Sequence, residues 1–86
     1  METLRSVTPP WETLRELLLE RGISVIALAR ALEIPNLKAY GICIGQIPIK
    51  GQLAHDLEKL GLGIAEFWEE RTKRYEDYMG RRKGEQ

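Results

Sequence analysis

The 86-residue sequence predicts an all-α fold of five short helices. Three observations carry that expectation. Five segments place apolar residues at helical spacing, and glycine and proline punctuate the chain between them. No stretch sustains period-2 alternation, and no Asn-Gly or Asp-Gly pair marks a hairpin.

The first helix opens at Thr8-Pro9-Pro10, because proline fits the first helical turn and Thr8 can cap it. Trp11, Leu14, Leu17 and Leu18 then form one apolar stripe, and Gly22 supplies the left-handed residue that ends a helix. Ser24 is the natural N-cap of a second helix, whose stripe is Val25, Leu28, Ala29 and Leu32. Pro35 pushes Ile34 out of helical geometry, so this helix ends by about Glu33. Asn36 can cap a third helix that runs toward Ile44 and is closed by Gly45. Beyond the break at Pro48, Leu53, Leu57 and Leu60 mark a fourth helix, which Gly61 and Gly63 terminate. The fifth runs from about Ile64 to Met79 and carries Phe67, Trp68, Tyr75 and Tyr78. Residues 1–10 form an N-terminal arm, 11–79 the folded domain and 80–86 a flexible basic tail.

Composition narrows the function classes. With 43% hydrophobic and 30% charged residues, the chain belongs among ordered globular proteins. No apolar run approaches the roughly 20 residues of a membrane span, and no basic-then-apolar leader opens the sequence, so a cytoplasmic location is expected. One cysteine, Cys43, and one histidine, His55, offer neither a disulfide framework nor a zinc site. Neither does Cys43 have a basic neighbour to activate it, and Glu69 and Glu70 are adjacent on a helix and so do not face one pocket. The chain is therefore read as no enzyme, without cofactor or metal.

The net charge of zero is a sum of unequal parts. Residues 1–70 carry seven basic and ten acidic side chains, whereas residues 71–86 carry six basic and three acidic. A mildly acidic body thus precedes a basic end, and the chain lacks the strong basic excess of a dedicated nucleic-acid binder. Within residues 22–50, however, Arg30, Lys38 and Lys50 face Glu33 alone, a local +2.

The second and third helices hold the most informative pattern. A helix-turn-helix needs an apolar core residue, a small residue where the helices cross, a short turn, and apolar positions that pack the second helix back on the first. Leu28, Ala29, Leu32, Ile34, Ala39 and Ile42 meet those needs at fixed spacing, placing the motif at residues 24–45.

At these residues the chain resembles the lambda-repressor/Cro-like (XRE) helix-turn-helix family, and within it the HigA-type plasmid-maintenance antidote proteins, or antitoxins. The resemblance covers roughly residues 11–79. It is carried by L-R-E-L-L-L-E-R-G-I-S (14–24), L-A-R-A-L-E-I-P (28–35), G-Q-I-P-I (45–49), L-E-K-L-G (57–61) and A-E-F-W (65–68). It implies a lambda-repressor-like fold with an aromatic C-terminal helix. It further implies a homodimeric repressor that binds operator DNA and, in many relatives, neutralises a cognate ribonuclease toxin. Two positions depart from the pattern: Val25 stands where relatives usually carry glutamine, and Glu33 where they carry glycine.

On that reading the DNA-binding set is Val25, Arg30, Asn36, Leu37, Lys38, Tyr40, Gly41 and Lys50, with the third helix in the major groove of duplex DNA. Only Asn36, Lys38 and Tyr40 on that helix can hydrogen-bond DNA. Four of the set have plainer alternatives: Asn36 as a helix cap, Lys38 as a solvated lysine, and Arg30 and Lys50 as isolated surface charges. Phe67, Trp68, Tyr75 and Tyr78 are expected at a dimer or partner interface, because one small core would not cover them all. Val25, Leu37 and Ile44 make the expected DNA face partly apolar, which supports a second function. In that alternative, a degenerate helix-turn-helix binds a protein (a toxin, a regulator or a defence complex) through its third helix and does not bind DNA.

Overall fold

Two successive prolines set where the chain first turns helical in the computed structural model, which describes residues 8–84, with side chains to residue 80. Pro9 is held extended (φ −61°, ψ 142°) by the proline that follows it, so Pro9 and not Thr8 occupies the cap position. Helix α1 then spans Pro10–Arg21 without a side-chain cap. It stops at Gly22 (φ 67°, ψ 30°), where Ile23 N–H donates to the Leu18 carbonyl and Gly22 N–H to that of Leu19.

Helix α2 (Val25–Leu32) starts as expected, with the Ser24 hydroxyl accepting from the Ala27 amide at 3.0 Å. It ends through the same pair of hydrogen bonds as α1, with Ile34 N–H donating to Ala29 and Glu33 N–H to Arg30. Here the left-handed residue is Glu33 (φ 59°, ψ 45°), the one non-glycine residue with positive φ among the described residues.

Helix α3 (Asn36–Cys43) differs from expectation at its start. Pro35 (φ −64°, ψ 150°) takes the cap position, and its carbonyl accepts from Lys38 and Ala39. Asn36 is therefore the first helical residue, and its side chain makes no capping bond. The helix runs out at Ile44, and Gly45 (φ 88°) turns the chain beneath Trp11. A Cβ at Gly45 would lie 2.8 Å from three indole carbons, so both the backbone and the packing require glycine there.

Helix α4 (Gln52–Lys59) buries Ala54 and Leu57. The expected third member of its stripe, Leu60, is past the helix end and exposed. Gly61 (φ 78°) reverses the chain immediately after it and sends Leu62 into the core instead. Helix α5 (Ala65–Gly84) is the longest, and its backbone stays helical five residues beyond Met79.

The described residues thus form five helices and no strand. None of the helices is long and apolar enough to cross a membrane. One core joins them: Leu14 and Leu18 from α1, Leu28 from α2, Ile42 and Cys43 from α3, and Leu57 from α4 meet Leu62, Ala65 and Trp68. The crossing of α2 and α3 uses small buried residues, Ala29 and Ala39, which let two short helices approach closely.

Candidate nucleic-acid interface

Helix α3 is held on one side only. Ala39, Ile42 and Cys43 face inward, while Leu37, Tyr40 and Ile44 recur at i, i+3 and i+7 on the outer side. Leu37 is 82% exposed, far more than an apolar side chain in a filled core, and Tyr40 and Ile44 are about half exposed. Asn36 stands at the N-terminal end of the same helix, exposed and freed from capping by Pro35.

Charge frames this face. Arg30 on α2 and Lys38 on α3 are exposed, and neither forms an ion pair among the described residues. Both are thus available for an anionic partner. Lys50, expected beside them, is committed elsewhere: its ammonium is 3.2 Å from the Glu76 carboxylate of α5, and both groups are half exposed. That pair belongs to an acidic depression of about 640 Å³ whose carboxylates are Glu66, Glu69, Glu70 and Glu76. Lys50 also lines a depression with Lys38, so it stands beside that lysine while its charge is paired with Glu76.

Gly41 also leaves the expected set. It is buried, and a Cβ built on it would lie 3.2 Å from the Ile47 side chain, so glycine lets the 44–49 loop close over α3. The Gly41 carbonyl accepts from the Gln46 amide at 2.8 Å, which fixes that loop. Val25 is half-buried at the edge of the outer face and lines a groove.

That groove, about 410 Å³, lies between the end of α1, the start of α2 and the outer side of α3. Leu18, Leu19, Ile23, Val25, Tyr40 and Ile44 line it. Leu19, 81% exposed, was not singled out by the sequence pattern. The signal was nevertheless present. Three consecutive leucines on a helix sweep about 200°, so Leu17, Leu18 and Leu19 cannot all face one core. Arg15 closes one end and donates to the Cys43 carbonyl at 3.3 Å. Burial raises the Cys43 thiol pKa above its ordinary range, and the Arg15 charge opposes that shift only in part.

Compared with protein-family models, curated proteins and solved structures, the chain matches none.

The four aromatics expected at an interface divide. Trp68 is fully buried, its indole N–H donating to the Leu62 carbonyl at 2.9 Å and its ring packed edge-on against Phe67. It is a core residue of its own chain, which corrects the expectation that it faces a partner. Phe67 is half-buried beneath the Arg71 guanidinium, 5.2 Å from the ring centre. Tyr75 meets Trp11 of α1 edge-on at 5.1 Å, and Tyr78 is half-buried. Helix α5 thus uses its aromatics chiefly to hold α1 and the preceding loops. Thr72 joins them, donating to the Ile49 carbonyl at 2.7 Å.

Among the described residues no three His, Cys, Asp or Glu side chains are grouped as a metal site. His55 is exposed on α4.

Proposed function

We propose that the chain is a lambda-repressor-like helix-turn-helix protein that binds duplex DNA, with α2 and α3 as the motif and α3 in the major groove. The observation that carries this reading is the corner between the two helices. Among the described residues, Arg30, Asn36 and Lys38 stand exposed there without ion-pair or capping partners, beside a helix whose outer face no other described element covers. Lysine and arginine beside such a helix supply phosphate contacts, and the first residues of the helix reach base edges. The reading extends to a dimeric repressor of the antitoxin kind. A dimer through α5 would then rest on Tyr78 and Met79, since Trp68 is inside.

Equilibrium titration of a duplex from the region upstream of its own gene tests this reading. The logarithm of affinity should fall with that of salt, with a slope of about −0.9 for each phosphate neutralised. Changing Arg30 and Lys38 together to alanine should flatten that slope by about two phosphates' worth. Retention of no duplex at low salt overturns the proposal.

One observation favours a second reading, in which α3 docks a protein. The apolar groove beside Leu19 and Ile44 is continuous with the outer face of α3 and holds no carboxylate. Binding there would be insensitive to salt and would be lost on Leu19→Glu.

A further inference from the structure

We propose that α3 reads A·T base pairs, Leu37 and Ile44 lying against thymine methyl groups and Asn36 bonding an adenine edge. The inference rests on the DNA-binding reading above and names the kind of site that such a surface fits.

The outer face lacks a reader of guanine. Guanine is read most often by arginine or lysine on its O6 and N7 acceptors. No such side chain lies on the Leu37–Tyr40–Ile44 stripe. Lys38 points about 100° away from Leu37, into a depression it shares with Ile34, Leu53 and Lys50. Against a G·C pair, Leu37 would cover two acceptors and an amine without replacing the water bonded to them. Burying polar groups unpaired in that way is unfavourable. Thymine alone offers a methyl group to the major groove, on its C5. An exposed leucine gains there what it loses elsewhere.

Asn36 completes the match. An asparagine amide donates to adenine N7 and accepts from N6 in one planar pair. Serving as a helix cap would occupy its carbonyl, but Pro35 is the cap and the amide remains free. Asn36 and Leu37 are successive residues at the start of α3, so they would meet neighbouring positions on the duplex. Arg30 and Lys38, exposed and without ion-pair partners among the described residues, supply the charge that phosphates require.

The test uses the full chain and a library of random duplexes spanning about 20 base pairs, two helical turns. Selection at low salt should enrich half-sites dominated by A·T pairs. Replacing thymine by uracil in the selected duplex removes only the methyl group and should weaken binding about fourfold for each methyl contacted. Leu37→Ala should lose about fourfold of the thymine–uracil difference, the share of the methyl it contacts, and Leu37→Ala with Ile44→Ala should bind the two duplexes alike, whereas Lys38→Ala should weaken both equally and keep the difference. Asn36→Ala should lose about tenfold in affinity for the selected site. Because Leu37 is almost wholly exposed, its replacement should leave the unfolding midpoint unchanged, which separates a reading role from a folding one. A selected half-site led by G·C pairs, or one indifferent to uracil, overturns this inference and leaves DNA binding standing. Selection of no duplex, with a protein captured instead on the apolar face, overturns both.

Discussion

Helices α3 and α5 both carry large apolar side chains, and they dispose of them in opposite ways. Helix α5 has the richer complement, yet Trp68 is fully enclosed and Tyr75 is edge-on to Trp11. Helix α3 has fewer, yet Leu37, Tyr40 and Ile44 stand in solvent. The difference is one of supply. The chain brings α1, the 44–51 loop and Leu62 against α5, whereas none of the described residues covers the outer side of α3. Hydrophobicity alone does not mark an interface; hydrophobicity left over after the chain has folded does.

Trp68→Ala tests that contrast with the largest expected effect. Removing a wholly buried indole and its hydrogen bond to Leu62 should cost about 3–5 kcal/mol, a large share of the roughly 5–15 kcal/mol that holds a small domain. Leu37→Ala should stay within about 0.5 kcal/mol of the parent in the same urea titration. Similar losses for the two variants would erase the distinction between the helices.

Gly45→Ala and Gly22→Ala sharpen it at the next level. Both glycines have positive φ, but a Cβ at Gly22 meets open space whereas at Gly45 it meets the Trp11 ring. Gly22→Ala should cost about 1 kcal/mol, from backbone strain alone. Gly45→Ala should cost about 2–4 kcal/mol, because the ring that packs on Tyr75 must also move. Thermal unfolding of the two variants, side by side, separates strain from crowding.

These comparisons also show which features the sequence made legible. Ser24, Gly22 and Gly61 act through bonds to residues within a turn or so, and the sequence places them correctly as a cap and two stops. The inner face of α3, Ala39 and Ile42, follows from spacing alone. Asn36 misled because asparagine is a favoured cap, whereas a proline immediately before it already fixes the needed conformation. Leu60 misled because a stripe continues on paper past the residue where Gly61 reverses the chain. Lys50 and Gly41 depended on partners the local pattern cannot supply, Glu76 in α5 and Ile47 in the folded-back loop. At the candidate site, the exposure of Asn36, Leu37, Lys38 and Tyr40 follows from their spacing against the inward Ala39 and Ile42. Leu19 was not, because its role is set by how α1 meets α3.

Thr72→Val carries a smaller expected effect and tests how α5 secures the loop that follows α3. The Thr72 hydroxyl is buried and donates to the Ile49 carbonyl. Valine keeps the shape but strands that carbonyl, at about 1–2 kcal/mol. Amide hydrogen exchange should quicken in the 44–51 loop before it does in α2. Uniform quickening would mean that α5 stabilises the domain as a whole and gives the loop no separate anchor.

Glu33→Gly should have the smallest effect and the opposite sign. Glu33 ends α2 in a left-handed conformation that a side chain disfavours by about 1 kcal/mol. Glycine removes that strain but adds freedom to the unfolded chain, so the net gain should be about 0.5 kcal/mol. The same change deletes the one carboxylate in residues 22–50, between Arg30 and Lys38. If those two basic groups serve α3, the variant should bind duplex DNA somewhat more tightly at low salt, with the gain vanishing as salt rises. If the outer face serves a protein instead, the same variant should gain stability and leave binding untouched. One substitution at the turn therefore reads both the strain within the fold and the charge beside its open face.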